Sequence, residues 1–427
     1  MLAPGPTLTL AAQHLLAAYA SLVVTPLILA GALGWAPETL TLVISAALVT
    51  SGLCTLLQCI GIGDAVGIRL PVIQGTTIAA VPALILIGTS SGLNAIFGAT
   101  IVAGAGAFLI AGLWSRILVL FPPVVTGTVI AAIGISLFPV AIMWMSGGVM
   151  GAHLVAPMDL GLGFASLFIV ILVMRFGHHL LARSAVLVGL VTGTLIAAAL
   201  GAVDTASISQ APWFKLVTPF AFGWPVFEAP AIMAMTLVML VTMVESTGDY
   251  LAIGEVCRKP IGPRQIAAGL RAEGLGTMLG GVMNSFPFTT FSQNTGVIRL
   301  SGIRSRWVVA VAGLLMILLG LVPKLAAIAA IIPTPVLGGC ALVMFGSIAV
   351  AGFNILRRVD LDDNRNLVVV GVSLGLSLLV VANPLFFDGF QDKVRIVLGN
   401  SITLAGVSAI TLNWLFNILG SKDASSP

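Results

Sequence analysis

The chain has 427 residues, of which 59% are hydrophobic and only 8% charged, where soluble domains carry about a quarter charged residues. With a mean hydropathy of +1.14, most of its length must face lipid or a lipid-embedded neighbour, which excludes a water-soluble fold. The net charge of +4 lies singly or in small groups beside the short gaps between apolar runs. That is where loop charges of a polytopic protein lie, and it does not indicate a nucleic-acid partner.

Runs of about 17–25 mostly apolar residues can cross the hydrocarbon core. In chain order they fall at 9–33, 41–60, 67–88, 93–113, 117–139, 162–182, 184–201, 229–252, 264–281, 287–303, 305–323, 335–353, 364–382 and 394–418. The first run follows no basic leader region and is read as a span, not as a cleaved signal. With the N-terminus inside, alternation places 15 of the 19 Lys and Arg on the cytoplasmic side, leaving only Lys215, Lys324, Lys393 and Arg395 outside. This asymmetry is the positive-inside pattern, and one miscounted span would scramble it. Fourteen spans with both termini cytoplasmic are therefore expected.

The segment Pro123-Val-Val-Thr-Gly127, continuing to Gly134, aligns with Pro335-Val-Leu-Gly-Gly339, continuing to Gly346, at an offset of 212 residues. Gln74-Gly-Thr-Thr-Ile78 resembles Gln293-Asn-Thr-Gly-Val297 at a similar offset. Two halves of seven spans follow. Because seven is odd, the second half enters the membrane in the opposite sense, giving an inverted repeat. Spans 3 and 10 carry polar and glycine residues in mid-membrane. Broken backbone is tolerated there only when it lines a cavity or is buried in protein, so matched broken segments point to a substrate site. The glycine pairs seven residues apart share a helical face, suited either to tight packing or to sliding.

Span 8 holds Glu245 and Asp249 in Val-Glu-Ser-Thr-Gly-Asp-Tyr. A charge at the centre of a spanning helix costs roughly 2.5–3.5 kcal/mol on insertion scales, which makes it a functional candidate. The i, i+4 spacing puts both carboxylates on one face. Like charges held close in a poorly solvated place resist joint ionisation, the property a proton-coupled carrier needs. Asp249, nearer the helix end, has a capping or pairing role as its alternative. Glu273 lies near Arg271 in span 9, as an interfacial ion pair or a buried coupling group. His14 in span 1 is either a proton relay or a hydrogen-bonding partner for a neighbouring helix. His178 and His179 are expected in solvent, and His153 in an external loop.

Gln293 offers an amide donor and acceptor where an ionised Glu245 offers only acceptors. Together they complement a planar heterocycle bearing adjacent N–H and C=O groups, with Phe291 to stack on its face. On chemistry alone this reads as a small polar solute. Cys54, Cys59, Cys257 and Cys340 lack zinc-ligand spacing. With no nucleophile–base pair, metal cluster or phosphate loop, no cofactor is expected and an enzyme is disfavoured.

The segment Phe288-Thr-Thr-Phe-Ser-Gln293-Asn-Thr-Gly-Val-Ile-Arg-Leu-Ser-Gly302 resembles the signature of the nucleobase–ascorbate transporters, also called nucleobase:cation symporters 2. Glu245-Ser-Thr-Gly-Asp249 resembles their span-8 motif, and His14 falls where purine-type members keep a histidine. The resemblance implies an all-α integral membrane fold of fourteen helices in a seven-plus-seven inverted repeat, broken at helices 3 and 10. It implies a core domain at 1–116 and 229–324 that moves against a gate domain at 117–228 and 325–427. Glu245 and Gln293 would bind the base through side chains, and Ser292 and the Thr77/Ile78 region through backbone N–H, with Phe291 nearby. Asp249, Glu273 and His14 would serve proton coupling, with Asn294 and Gly296 supporting the motif. Three positions depart from the family pattern: Ser301 replaces a Thr, Glu273 replaces an Asp, and Arg299 brings in a cation.

By the same resemblance, Gln293 favours oxopurines such as xanthine or urate. The expectation is a homodimeric, proton-coupled importer in the cytoplasmic (inner) membrane. The alternatives are a uracil or pyrimidine permease, or an anion transporter of the same architecture. Glu245 argues against the last, because an anion site would rely on helix N-termini and basic groups.

Overall fold

The computed structural model describes residues 4–147, 155–178, 181–182, 184–203, 205–291, 294, 297–298, 304–383, 385–387, 389–390, 398–399 and 401–419. Its elements are almost entirely helical. The first half contributes α1 (Pro4–Leu33), α2 (Pro37–Ile60), strand β1 (Gln74–Thr76), α3 (Val81–Ser91), α4 (Leu93–Ile110), α5 (Pro123–Ser136), α6 (Phe138–Met145), α7 (Pro157–Phe176) and α8 (Ala185–Ala199). The second contributes α9 (Ala229–Cys257), α10 (Pro263–Val282), strand β2 (Phe288–Thr290), α11 (Arg306–Gly320), α12 (Pro323–Ala330), α13 (Thr334–Leu356), α14 (Asn364–Ala382) and α15 (Ser401–Asn413).

Among the described residues, eight helices are long and apolar enough to cross a membrane, and nine if α11 and α12 form one span bent by 81°. Of the others, α1 is 30 residues long and α10 is 20, the latter carrying Arg264, Arg271 and Glu273, and the rest are shorter or broken. α3, for example, starts only after β1 and a 3-10 turn at Ile78–Ala80. The protein is a mostly helical integral membrane protein. Prolines set many of the helix starts: Pro37, Pro123, Pro157, Pro230, Pro263 and Pro335 each stand at the first or second helical position. There the missing N–H costs nothing and the fixed φ favours the helix.

Two groups of helices pack closely. In the first, α2 lies on α11 and α4 on α10, with α1 and α9 alongside. In the second, α13 packs on α5, α6 and α7, while α14 packs on α15 and α5. Glycines make the close approaches, because helices in lipid associate through small residues that let backbones touch. A Cβ on Gly52 would sit 2.4 Å from Gly313 O, and one on Gly134 would sit 2.3 Å from Ala349 N. The packing reading of the glycine pairs therefore holds for Gly127, Gly134 and Gly339. Gly346 is the exception, with nothing nearer than 3.9 Å. Outward faces carry large apolar side chains such as Phe164, Phe168 and Leu195, all more than half exposed; burial in lipid makes that favourable.

The only sheet among the described residues is β1 paired antiparallel with β2, in the register Gln74↔Thr290, Gly75↔Thr289 and Thr76↔Phe288. The ladder continues past the strands through Phe291 N–H to Ile73 O (3.0 Å) and Thr77 N–H to Pro287 O (2.9 Å). Each broken segment thus satisfies the backbone of the other, which unwound chain at membrane depth requires. The local two-fold of this pair exchanges Gly75 with Thr289, 214 residues apart. That is nearer the 212 of the helical alignment than the Gln74–Gln293 match, so the strands correct that second alignment by several residues.

Candidate substrate site at the crossed strands

The uninterrupted 29-residue helix α9 runs past the β1–β2 pair and anchors to it through Ser246. The Ser246 hydroxyl donates to Glu273 Oε2 on α10 (2.6 Å) and accepts from Thr290 N–H (3.2 Å). It also lies 3.3 Å from Thr289 Oγ1. One turn on, Tyr250 OH donates to the same Glu273 oxygen (3.3 Å), and Thr290 Oγ1 adds a contact at 3.4 Å. Tyr250 in turn accepts from Gln58 Nε2 (2.8 Å), which also donates to Gly269 O (2.9 Å). Gln74 Nε2 donates to Thr290 Oγ1 (2.9 Å), and the Gln74 backbone N–H donates to Thr55 Oγ1 (3.0 Å). α2, α9, α10 and both strands therefore share one buried polar lattice.

Glu273 is fully buried and forms no ion pair with Arg271, which reaches instead to Ala65 O (3.2 Å). The interfacial ion-pair alternative for Glu273 is thereby corrected. The helix turns Arg271 toward the loop end and Glu273 into the bundle. His14 is 1% exposed and hydrogen-bonds the Asn294 side-chain oxygen, while Asn294 Nδ2 donates to Pro71 O (2.7 Å). His14 thus ties α1, through Asn294, to both broken segments. His178 is exposed as expected; His153 and His179 lie outside the described residues.

Glu245 is different. It stands near the middle of α9, beside Ser246, partly exposed, and accepts no hydrogen bond from a described residue. Asp249, one turn on, is also partly exposed, and its Oδ2 is buried without a partner. Phe291 is buried at the end of β2 with its ring over Gly75, where a Cβ would come within 2.2 Å of Phe291 Cζ. Thr77 is buried and its N–H is committed to Pro287, while Ile78 opens the 3-10 turn beyond it. Ser292, Gln293 and Gly296, together with Arg299 and Ser301, lie outside the described residues.

Sequence reading missed Gln58, Ser246, Tyr250 and Thr290, the members that fix the geometry. Gln58 carried a usable signal: an amide inside the apolar run Thr-Leu-Leu-Gln-Cys-Ile needs a buried partner. The hydroxyl groups carried none, because Ser and Thr also bond to their own helix, as Thr50, Thr100 and Ser166 do here.

Broken segments crossing at mid-bundle beside a carboxylate-bearing helix define a class: a polytopic secondary transporter. The fold agrees with that class. It is similar to the transmembrane domain of a cyanobacterial bicarbonate transporter, BicA, with a TM-score of 0.61 at 16% identity, covering 95% of this chain and 97% of that one. It is equally similar to the murine Slc26a9 anion transporter in its inward-facing state (TM-score 0.61, 12% identity, 95% of this chain and 68% of that one). At such identities the likeness is one of fold.

The chain belongs to the nucleobase–ascorbate transporters, a permease family whose model matches residues 5–386. The uric acid transporter UacT of Escherichia coli is 42% identical over 98% of this chain and 87% of its own length. The nucleobase transporter PlUacP of Paenibacillus larvae is 40% identical over 98% and 96%, and a xanthine permease of Bacillus subtilis 38% over 97% and 94%. The chain is thus a multi-pass membrane transporter and not an enzyme.

Proposed function

We propose that this protein imports an oxopurine nucleobase, xanthine or urate, across the cytoplasmic membrane by proton symport. The observation that carries the reading is Glu245: a carboxylate without a described partner, half-way along a spanning helix and beside the crossed strands. A carboxylate there is costly unless a ligand or a proton completes it. Relatives named for uric acid and xanthine at 37–42% identity support the substrate class. Glu245 and Gln293 take the two hydrogen-bonding edges of the base, Phe291 its face, and Ile78 and Ser292 the ring carbonyls. Asp249 and Glu273 each keep one carboxyl oxygen without a donor, and these are the places at which a coupled proton is held.

The two helix groups act as core (1–116, 229–324) and gate (117–228, 325–427) in a fourteen-span inverted repeat. Both termini are cytoplasmic, and two copies associate as a homodimer. The base binds between the groups, and relative motion of the two exposes it to either side.

The test is uptake of radiolabelled xanthine and urate into cells expressing the protein, at two external pH values, with uracil, guanine and hypoxanthine as competitors. Uptake that rises in acid and resists uracil is expected. Uracil transport without xanthine transport would overturn the assignment of Gln293, and pH-independent uptake would overturn proton coupling.

A further inference from the structure

Away from the crossed strands, a half-open cavity of about 350 Å³ lies at the other end of α2, within the roughly 300–1,000 Å³ of small-molecule sites. One wall is a single face of α2: Glu38, Thr41, Leu42 and Ser45, spaced for one helical stripe. The second wall is the extended segment around Lys215, whose backbone N–H is pinned to Leu321 O (3.2 Å). The third is Pro323, at the start of α12.

Four features make this a built site. Ser45 is 4% exposed, lines the cavity, and its hydroxyl has no partner. A buried helical serine that does not bond to its own helix leaves a donor for something else. Lys215 and Glu38 both line the cavity, yet neither is ion-paired; among described residues only Arg69 and Asp64 are. The neighbouring cation, by contrast, is spent: Lys324 Nζ donates to Ile208 O (3.1 Å) and lies 5.1 Å from the centre of the Trp213 ring. Finally, α2 and α12 both begin at this cavity without a side-chain cap, so their first-turn N–H groups present partial positive charge.

The ligand that fits has an anionic or carbonyl edge for Lys215, Ser45 and the helix starts, and an N–H edge for Glu38. It is flat enough to lie between Leu42, Pro212 and Pro323. An oxopurine anion such as urate has that combination. Counting from the cavity, α2 runs 24 residues to the Arg69 loop, about 36 Å at 1.5 Å per residue, so the cavity and that arginine lie at opposite membrane faces. Loop charge puts Arg69 in the cytoplasm and the cavity outside.

We propose that this cavity is an outer docking site that captures the oxopurine anion before it reaches the crossed strands. The inference rests on the proposed substrate class and adds a second binding site to it. Charge placed at a cleft raises local ligand concentration and capture rate. Lys215 therefore acts on KM and leaves the maximal rate to the central site.

The experiment introduces Thr41→Cys, since the four native cysteines are buried, and labels intact cells with a membrane-impermeant maleimide. Urate is expected to slow labelling several-fold, equally in the transport-dead Glu245→Gln background, and benzoate is expected not to. Protection that disappears with Glu245→Gln would mean the label senses the central site, and the proposal would fall. So would equal protection by benzoate, or labelling of the introduced thiol from the cytoplasmic side alone. As an independent arm, Lys215→Glu should raise KM for urate about three- to tenfold with the maximal rate retained; an unchanged KM would overturn the docking role. If the unsubstituted protein takes up neither urate nor xanthine, the substrate reading itself fails, whatever the labelling pattern.

Discussion

Glu273 and Glu245 sit on adjacent helices that both pack on β2, yet their surroundings are opposite. Glu273 is sealed in the bundle, and one of its oxygens is approached by Ser246, Tyr250 and Thr290. Glu245 is part-exposed and is offered no donor by the described residues. A carboxylate with one oxygen gripped by three protein hydroxyls is tied into the frame, whereas one left open on both oxygens is held in readiness for a ligand. Their order along the chain gives no hint of this division; the direction each faces does.

The largest effect expected is from Glu245→Gln. It should abolish measurable uptake and weaken oxopurine binding by about a hundredfold, the loss of charge-assisted hydrogen bonds worth roughly 1.5–3 kcal/mol. Its thermal melting in detergent should stay near that of the native protein. A variant that binds and transports normally would erase the contrast. Glu273→Ala should add a loss of stability that Glu245→Gln lacks, stranding three hydroxyl groups at a cost of about 3 kcal/mol, seen as a clear drop in melting temperature. An unchanged melting temperature would show that Glu273 is no frame member.

Gly75→Val sharpens the comparison from the strand side. Its side chain meets the Phe291 ring and Leu22, and overpacking of this kind costs about 1–3 kcal/mol. Substrate affinity should fall more than stability, as equilibrium binding and melting on the same sample would report. Smallest of all, Tyr250→Phe removes one hydroxyl from the Glu273 cluster and should cost about 1 kcal/mol in stability while uptake stays close to normal. A large uptake defect there would move Tyr250 from frame to transport path.

The membrane class, most span positions and the presence of breaks in spans 3 and 10 were legible because lipid enforces long apolar runs and penalises every mid-membrane polar residue. Glu245 was legible for the same reason. The fate of Glu273 was not, because Arg271 is its neighbour along the chain but lies on another face of α10 in space. The match of Gln74 to Gln293 was out of register, since two glutamines looked alike while the two-fold that exchanges Gly75 with Thr289 carries Gln74 onto Phe288. The hydroxyl lattice was illegible altogether, as nothing in one sequence says which serine turns away from its own helix. The short helix α12, bent by 81° from α11, was not foreseen either, because it starts at Pro323, where the apolar run read at 305–323 stops.

The pairing of β1 with β2 also governs how the protein is made. When residues 74–76 leave the ribosome, the strand that will satisfy their amides and carbonyls is more than two hundred residues from being translated. The nascent first half must shelter that unpaired stretch until the second half has been inserted. Assembly of the site is therefore the closing step of biogenesis, and synthesis halted before residue 288 yields helices in the bilayer with no place for a substrate to bind.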